Sequence, residues 1–160
     1  GVLEVVRQDD WLVMDFPSRP PSPCPAPDWL AAAMGAAPLE VQAARDVLAR
    51  YADEAAVRAL RPDMAAVLAS GVHAVIVTAP GDDSDFCSRF FAPAVGVPED
   101  PVTGSAHCTL VPYWATRLGR AELSARQVSA RGGELRCRLR GDRVELAGQV
   151  VWYLEGTIQV

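Results

Sequence analysis

The chain has 160 residues, half of them hydrophobic, and a formal net charge of −5. That is enough apolar chain for one domain with a real core, which excludes an intrinsically disordered segment. No apolar run approaches the ~20 residues that span a bilayer. The basic residues are all arginine and stand singly rather than in a stripe, so neither a membrane nor a nucleic acid is an expected partner.

Residues 2–6 and 11–16 flank Asp9-Asp10 and predict a hairpin around an acidic turn. Residues 17–27 hold six prolines in eleven positions, which predicts an extended loop. Asp28 is placed to cap a short helix over 29–34 that Gly35 ends. Residues 39–44 and 46–51 have strand length and mixed pattern. Asp53 caps a predicted helix to Leu60, and Pro62-Asp63 opens another to Ala69.

Residues 72–78 form a strong predicted strand with β-branched residues at its centre, and 86–91 form the next. The acidic stretch from Asp82 to Asp85 between them lacks the spaced oxygen ligands of a calcium loop and reads as a solvated turn. A helix is predicted from about Ser105 to Leu118. Strands over 123–130, 134–139, 143–146 and 150–160 then predict an antiparallel meander with turns at Gly132-Gly133, Gly141-Asp142 and Gly148-Gln149. Arg136, Arg138 and Arg140 alternate with Leu135, Cys137 and Leu139, which places the arginines on one solvent face. The helix over 109–118 is apolar around much of its circumference and needs burial on several sides. The predicted fold class is therefore α+β, an antiparallel curved sheet wrapped as a half-barrel around a central helix.

The four cysteines, Cys24, Cys87, Cys108 and Cys137, lie far apart with no Cys-x-x-Cys and no Cys/His cluster. They read as free thiols packed as small hydrophobes in a reducing cytoplasm, and no metal site is expected. Cys108 stands beside a helix start, where a thiol pKa can fall.

The chemistry concentrates in Glu99-Asp100-Pro101-Val102-Thr103-Gly104-Ser105-Ala106-His107. A carboxylate, a small-residue turn and a helix start follow one another. Free N–H groups at a helix N-terminus favour an anion, and Asp100 stands where it can move a proton or fix a substrate amine beside them. The plain alternatives are an Asx-turn for Asp100 and a tight turn with N-cap for Gly104 and Ser105. His107, in the first helical turn, reads as structural or exposed. His73 opens a buried strand and reads as packing or surface, and Arg89 reads as a salt-bridge partner, with contact to a substrate as the alternative.

These residues also carry a resemblance. Ser88-Arg89-Phe90-Phe91-Ala92-Pro93 followed by residues 96–107 resembles the second half of the phenazine-biosynthesis PhzF-like isomerases. Met14-Asp15-Phe16-Pro17 and Arg131-Gly132-Gly133 extend the likeness over nearly the whole chain. The resemblance implies a diaminopimelate-epimerase-like fold and a cofactor-independent proton shift on a small carboxylate-bearing molecule. It implies Asp100 as the catalytic residue and Gly104, Ser105 and Ala106 as the substrate-binding residues. It also implies a homodimer and a preceding domain that supplies a glutamate general base and a Gly-His-Ala-Thr-Leu segment. Neither is found in this sequence, so residues 1–160 are expected to be a single C-terminal domain, inactive alone.

In related racemases a cysteine thiol works near the position of Thr103. A threonine hydroxyl does not titrate near neutrality, which favours a one-base proton shift. Two rival readings remain open from sequence: a non-catalytic small-anion-binding or assembly domain, and a thiol-dependent racemase using Cys108.

Overall fold

The computed structural model describes residues 4–151 and 153–157. In chain order it contains β1 (Glu4–Gln8), β2 (Trp11–Pro17), β3 (Ser22–Pro23), α1 (Asp28–Met34), β4 (Glu40–Ala43), β5 (Val47–Arg50), α2 (Glu54–Ala59) and α3 (Met64–Ala69). There follow β6 (Val75–Ala79), β7 (Phe86–Phe91), a 3-10 turn (Pro93–Val95), α4 (Gly104–Leu118), β8 (Glu122–Gln127), β9 (Gly133–Arg140) and β10 (Arg143–Gln149).

The strands form one open sheet in the order β1-β2-β10-β9-β8-β7-β6-β5-β4-β3. It is mixed, not antiparallel as the sequence predicts, because β5 pairs β6 and β7 pairs β8 in parallel. Both parallel pairs are joined by helical crossovers, α2 with α3 and α4 respectively, which bring the chain back to the same end of the sheet. The α+β class stands.

The predicted strand over 150–160 is also corrected. Among its described residues, 150–151 and 153–157, there is no strand, and the rest lie outside the described residues. The free edge of β10 is taken instead by β2, with Leu146 opposite Met14 and Gly148 opposite Leu12. Gly148-Gln149 therefore ends a strand rather than making a turn. Residues 2 and 3 of the predicted hairpin lie outside the described residues; the rest pairs as expected, with Asp9 at φ 54° in the turn. In the proline-rich segment, Ser22 and Pro23 add a two-residue edge strand to β4, an edge being where proline's missing donor does least harm. The cap of α1 is Pro27, and Asp28 sits inside its first turn without a side-chain cap bond.

Two apolar clusters cover the two faces of the sheet. The period of two along β6 sends Ile76 to one and Val75 and Val77 to the other. The second cluster packs under α1, α2 and α3. Asp53 caps α2 as expected, accepting from the Ala56 amide, and Asp63, in the pair expected to open α3, caps it by accepting from the amides of Ala65 and Ala66.

The first cluster surrounds α4, whose residues 106–115 are all buried. Trp114 stacks on Phe86 at 5.7 Å between ring centroids. Its indole N–H donates to the Thr78 hydroxyl at 3.0 Å, which satisfies the one polar atom the stack buries. Pro112 lies inside α4 and has no N–H for the carbonyl of Cys108. That carbonyl accepts instead from the Arg19 amide at 2.9 Å, so the helix continues without an orphaned acceptor and the proline-rich segment is pinned to it.

Candidate functional site

The motif loop runs from β7 to α4 and is tied down at both ends. Arg89 on β7 is 12 % exposed and forks onto Glu99, with N–O distances of 2.8 and 3.0 Å. Its third nitrogen donates to the carbonyls of Val57 and Leu60. Arg89 is thus the salt-bridge partner expected, and it fixes the loop against α2. The Asp100 amide donates to the Phe90 carbonyl at 3.0 Å, and Ser129 donates to the Pro101 carbonyl at 2.8 Å.

Asp100 is half-buried at the start of this stretch. Its Oδ2 accepts the Thr103 hydroxyl at 2.5 Å. Thr103 is the N-cap residue of α4, yet its side chain makes no cap bond, because its hydroxyl is spent on Asp100. The first-turn amides, from Gly104 to Ala106, therefore lack the side-chain acceptor that usually satisfies one of them. Gly104 and Ser105 are the first two helical residues, not the turn and cap suggested by their small size. Both are half-buried, whereas Ala106 is 1 % exposed and can offer a ligand only its backbone N–H.

Ser105 Oγ accepts from Arg45 Nη2 at 3.2 Å. Arg45 forks onto Asp46 at 3.1 and 2.9 Å, and the hydrogen bond to that carboxylate raises the guanidinium's pKa. Asp46 is 3 % exposed and also meets His73 Nδ1 at 2.7 Å. His73 thus precedes β6 and pairs with a carboxylate, rather than opening the strand.

His107 is fully buried, with Nδ1 2.7 Å from the Thr103 carbonyl. A carbonyl only accepts, so Nδ1 carries the proton. Burial pushes the imidazole down to about 4, against the smaller opposing effect of that hydrogen bond, so it is neutral at physiological pH. Cys108 is buried, one turn into α4, and its thiol approaches the Gly104 carbonyl at 3.5 Å. Burial pushes its pKa up, outweighing Arg19, Arg45 and Arg143 nearby. This is the opposite direction to the lowered thiol pKa that a helix start allows, and it disfavours Cys108 as the thiolate of a thiol-dependent racemase.

Gln127, at the end of β8 and outside the sequence motif, joins the site through the fold. It is fully buried, accepts the Thr103 amide at 2.8 Å, and donates to the Asp100 carbonyl at 2.6 Å and to Thr103 Oγ1 at 3.1 Å. A readable signal existed: Leu123, Ala125 and Gln127 share one strand face, so a glutamine occupies an apolar position. The Arg45–Ser105 contact spans 60 positions of sequence and left no such signal.

An open concavity of about 1050 Å³ adjoins the motif and is lined by Val102, Gly104, Leu135, Leu146, Leu12 and Met14. A smaller hollow of about 520 Å³, lined by Trp11, Arg136 and Glu145 among others, contains no motif residue. Among the described residues, no group of three or more His, Cys, Asp or Glu side chains is placed to hold a metal ion. Among them, too, no helix is long and apolar enough to cross a membrane.

Residues 20–156 match the phenazine biosynthesis-like protein family, PhzC-PhzF. Two uncharacterized isomerases of Pseudomonas aeruginosa are 52 % and 48 % identical over the whole chain, which spans 62 % of each relative's length. Among solved structures, a PhzF-family protein of Enterococcus faecalis superposes with a TM-score of 0.90 at 41 % identity, over 92 % of this chain and 57 % of that one. A putative PhzC/PhzF protein of Clostridium difficile gives a TM-score of 0.89 at 36 % identity, over 99 % and 61 %.

Proposed function

The chain belongs to the phenazine biosynthesis-like PhzF family of isomerases, and from that premise we propose that it carries one wall of an active site that shifts a proton on a small carboxylate. The observation that supports this most directly is the diverted cap. Thr103 gives its hydroxyl to Asp100, which leaves the first-turn amides of α4 for a ligand and places a carboxylate beside them. An anion there meets both the amides and the helix dipole.

In this reading the substrate carboxylate rests on the amides of Gly104, Ser105 and Ala106 and on the Ser105 hydroxyl. Arg45 behind Ser105 adds positive charge. Asp100 is the catalytic residue of this half, engaging a substrate amine or hydroxyl. The general base is a glutamate on a preceding domain of a longer polypeptide, and no metal or organic cofactor takes part. The open sheet with α4 against it is one diaminopimelate-epimerase-like half-barrel, and a second faces it across the cleft. Closure excludes water and strengthens the hydrogen bonds to the anion. The assembly is a homo-oligomer of the reducing cytoplasm.

The chain spans about three-fifths of the curated relatives it matches. The test therefore uses a longer polypeptide joined to a preceding domain of the family, screened for exchange of a carbon-bound proton in small acidic substrates in D2O. Asp100→Asn is expected to lower turnover by about 10²-fold or more, the usual share of one acid/base group. Unchanged turnover in Asp100→Asn, or appreciable turnover by the 160 residues alone, would overturn the reading.

A further inference from the structure

The polarity of the hydrogen bonds around Thr103 is set by one atom that cannot change its role. The Thr103 amide is a backbone donor, and the Gln127 side-chain atom 2.8 Å from it is therefore the carbonyl oxygen. That orients the whole Gln127 amide. Its NH2 must face the other way, where it finds two oxygens, the Asp100 carbonyl at 2.6 Å and Thr103 Oγ1 at 3.1 Å. Thr103 Oγ1 thus accepts a hydrogen bond from Gln127 and donates its own hydroxyl hydrogen bond to Asp100 Oδ2 at 2.5 Å, the short length of a hydroxyl bound to a carboxylate.

We infer that Gln127 is a positioning residue for Asp100: it dictates the direction of the Thr103 hydroxyl proton, holds Asp100 Oδ2 as an acceptor, and leaves Oδ1 as the oxygen presented to a bound molecule. This rests on Asp100 having the role proposed above, but the hydrogen-bond polarity itself does not. Among the described residues, the bonds of this carboxylate to the protein are made at Oδ2. Without the Gln127 NH2, the threonine hydroxyl is held from the Asp100 side alone, and the Asp100–Thr103 pair loses the anchor that fixes its orientation.

A fully buried glutamine is also what this task requires. An aspartate or glutamate at the same place brings no donors when ionised, and an apolar residue leaves the Thr103 amide and the Asp100 carbonyl unpaired in a dry site. The glutamine amide is neutral, so it orders the loop without adding a charge beside Asp100.

The test is 1H NMR of the 160-residue chain, and it needs no substrate. The Thr103 hydroxyl proton is expected as a slowly exchanging resonance with a cross-peak to the Gln127 side-chain NH2. Gln127→Met keeps the length of the side chain and removes its donors. It is expected to lose the hydroxyl resonance while the dispersed amides of the sheet remain. Should that variant unfold, Thr103→Val reads the same link from the other side: the Gln127 NH2 resonances are expected to shift and exchange faster. The inference is overturned if the wild-type chain shows no protected hydroxyl, if that resonance persists in folded Gln127→Met, or if the Gln127 NH2 is unchanged in Thr103→Val. Because these signals are independent of turnover, failure of the isomerase reading leaves them standing, and their failure leaves that reading to its own assay.

Discussion

His107 Nδ1 lies 2.7 Å from the carbonyl oxygen of Thr103, so the cap residue of α4 is held from within the helix by a fully buried imidazole. The sequence suggests a structural or exposed first-turn histidine, and the structure makes it structural. Its other ring nitrogen, Nε2, is buried without a protein partner among the described residues. Burial lowers its pKa from 6.5 to about 4. The unfolded chain therefore binds this proton at a higher pH than the folded one. Stability from this group is complete above pH 6.5, falls as the pH drops, and stops falling below about 4. The loss is roughly 3 kcal/mol across that window. His107→Gln keeps a donor for the Thr103 carbonyl and removes the titration. Urea midpoints from pH 7 to 4 are expected to fall more steeply in the wild type than in this variant; parallel profiles would refute the assignment.

Gly104 opens α4 with ordinary backbone angles and room to spare. A Cβ there would meet Leu146 Cδ1 and Phe16 Cζ at 3.9 Å, which is normal contact. Packing does not explain a glycine at this position, and alanine is the better helix former by up to about 1 kcal/mol. The proposed function explains it, since there a substrate carboxylate lies against this backbone. Gly104→Ala is expected to hold or raise the thermal midpoint of the chain, yet, on the proposed function, to raise KM by about tenfold or more in the longer polypeptide joined to a preceding domain. A variant that unfolds would return Gly104 to a purely structural role.

Much of this architecture is readable because its signals are local. The caps at Asp53 and Asp63, the apolar circumference of α4 and the alternation along β9 each follow from neighbouring residues. What is unreadable depends on residues far apart. The pairing of β2 with β10 joins the two ends of the chain, and nothing in 150–160 announces that the edge is already filled. The parallel pairs depend on where crossovers land. At the site, Asp100, Gly104 and Ser105 stand out as a motif, but Gln127 and Arg45 reach them through the fold alone. Cys108 misleads because a helix start suggests a low thiol pKa, whereas the depth of burial decides it.

The thiols provide a direct check on that burial. Cys87 and Cys137 are pushed up to about 12 by desolvation, and Cys108 is raised as well. A thiol reacts as its thiolate and must be reached, so these three are inert in the folded chain. Cys24 is the one only half-buried among the four free cysteines. Intact mass after brief alkylation at pH 7.5 is expected to show one adduct, at Cys24, and four after unfolding. Rapid native labelling of Cys108 would mean that α4 is far less enclosed than it stands.

Gly133 tests how the motif loop is supported from the sheet. A Cβ at this position would lie 2.4 Å from Val102 Cγ2, a distance that forces something to move. Val102 is half-buried, packs against the cluster around α4, and immediately precedes Thr103. A valine has no long flexible end to swing aside, so the strain passes to the loop backbone and to the Asp100–Thr103 bond. Gly133→Ala is expected to cost about 1–3 kcal/mol, as overpacking usually does, with a matching drop in the urea midpoint. Gly148 on β10 is the control, since a Cβ there meets nothing within 4 Å. Gly148→Ala should be neutral or slightly stabilising. Equal effects at both positions would mean that the cost comes from glycine's role in the strand backbone, not from the contact with Val102.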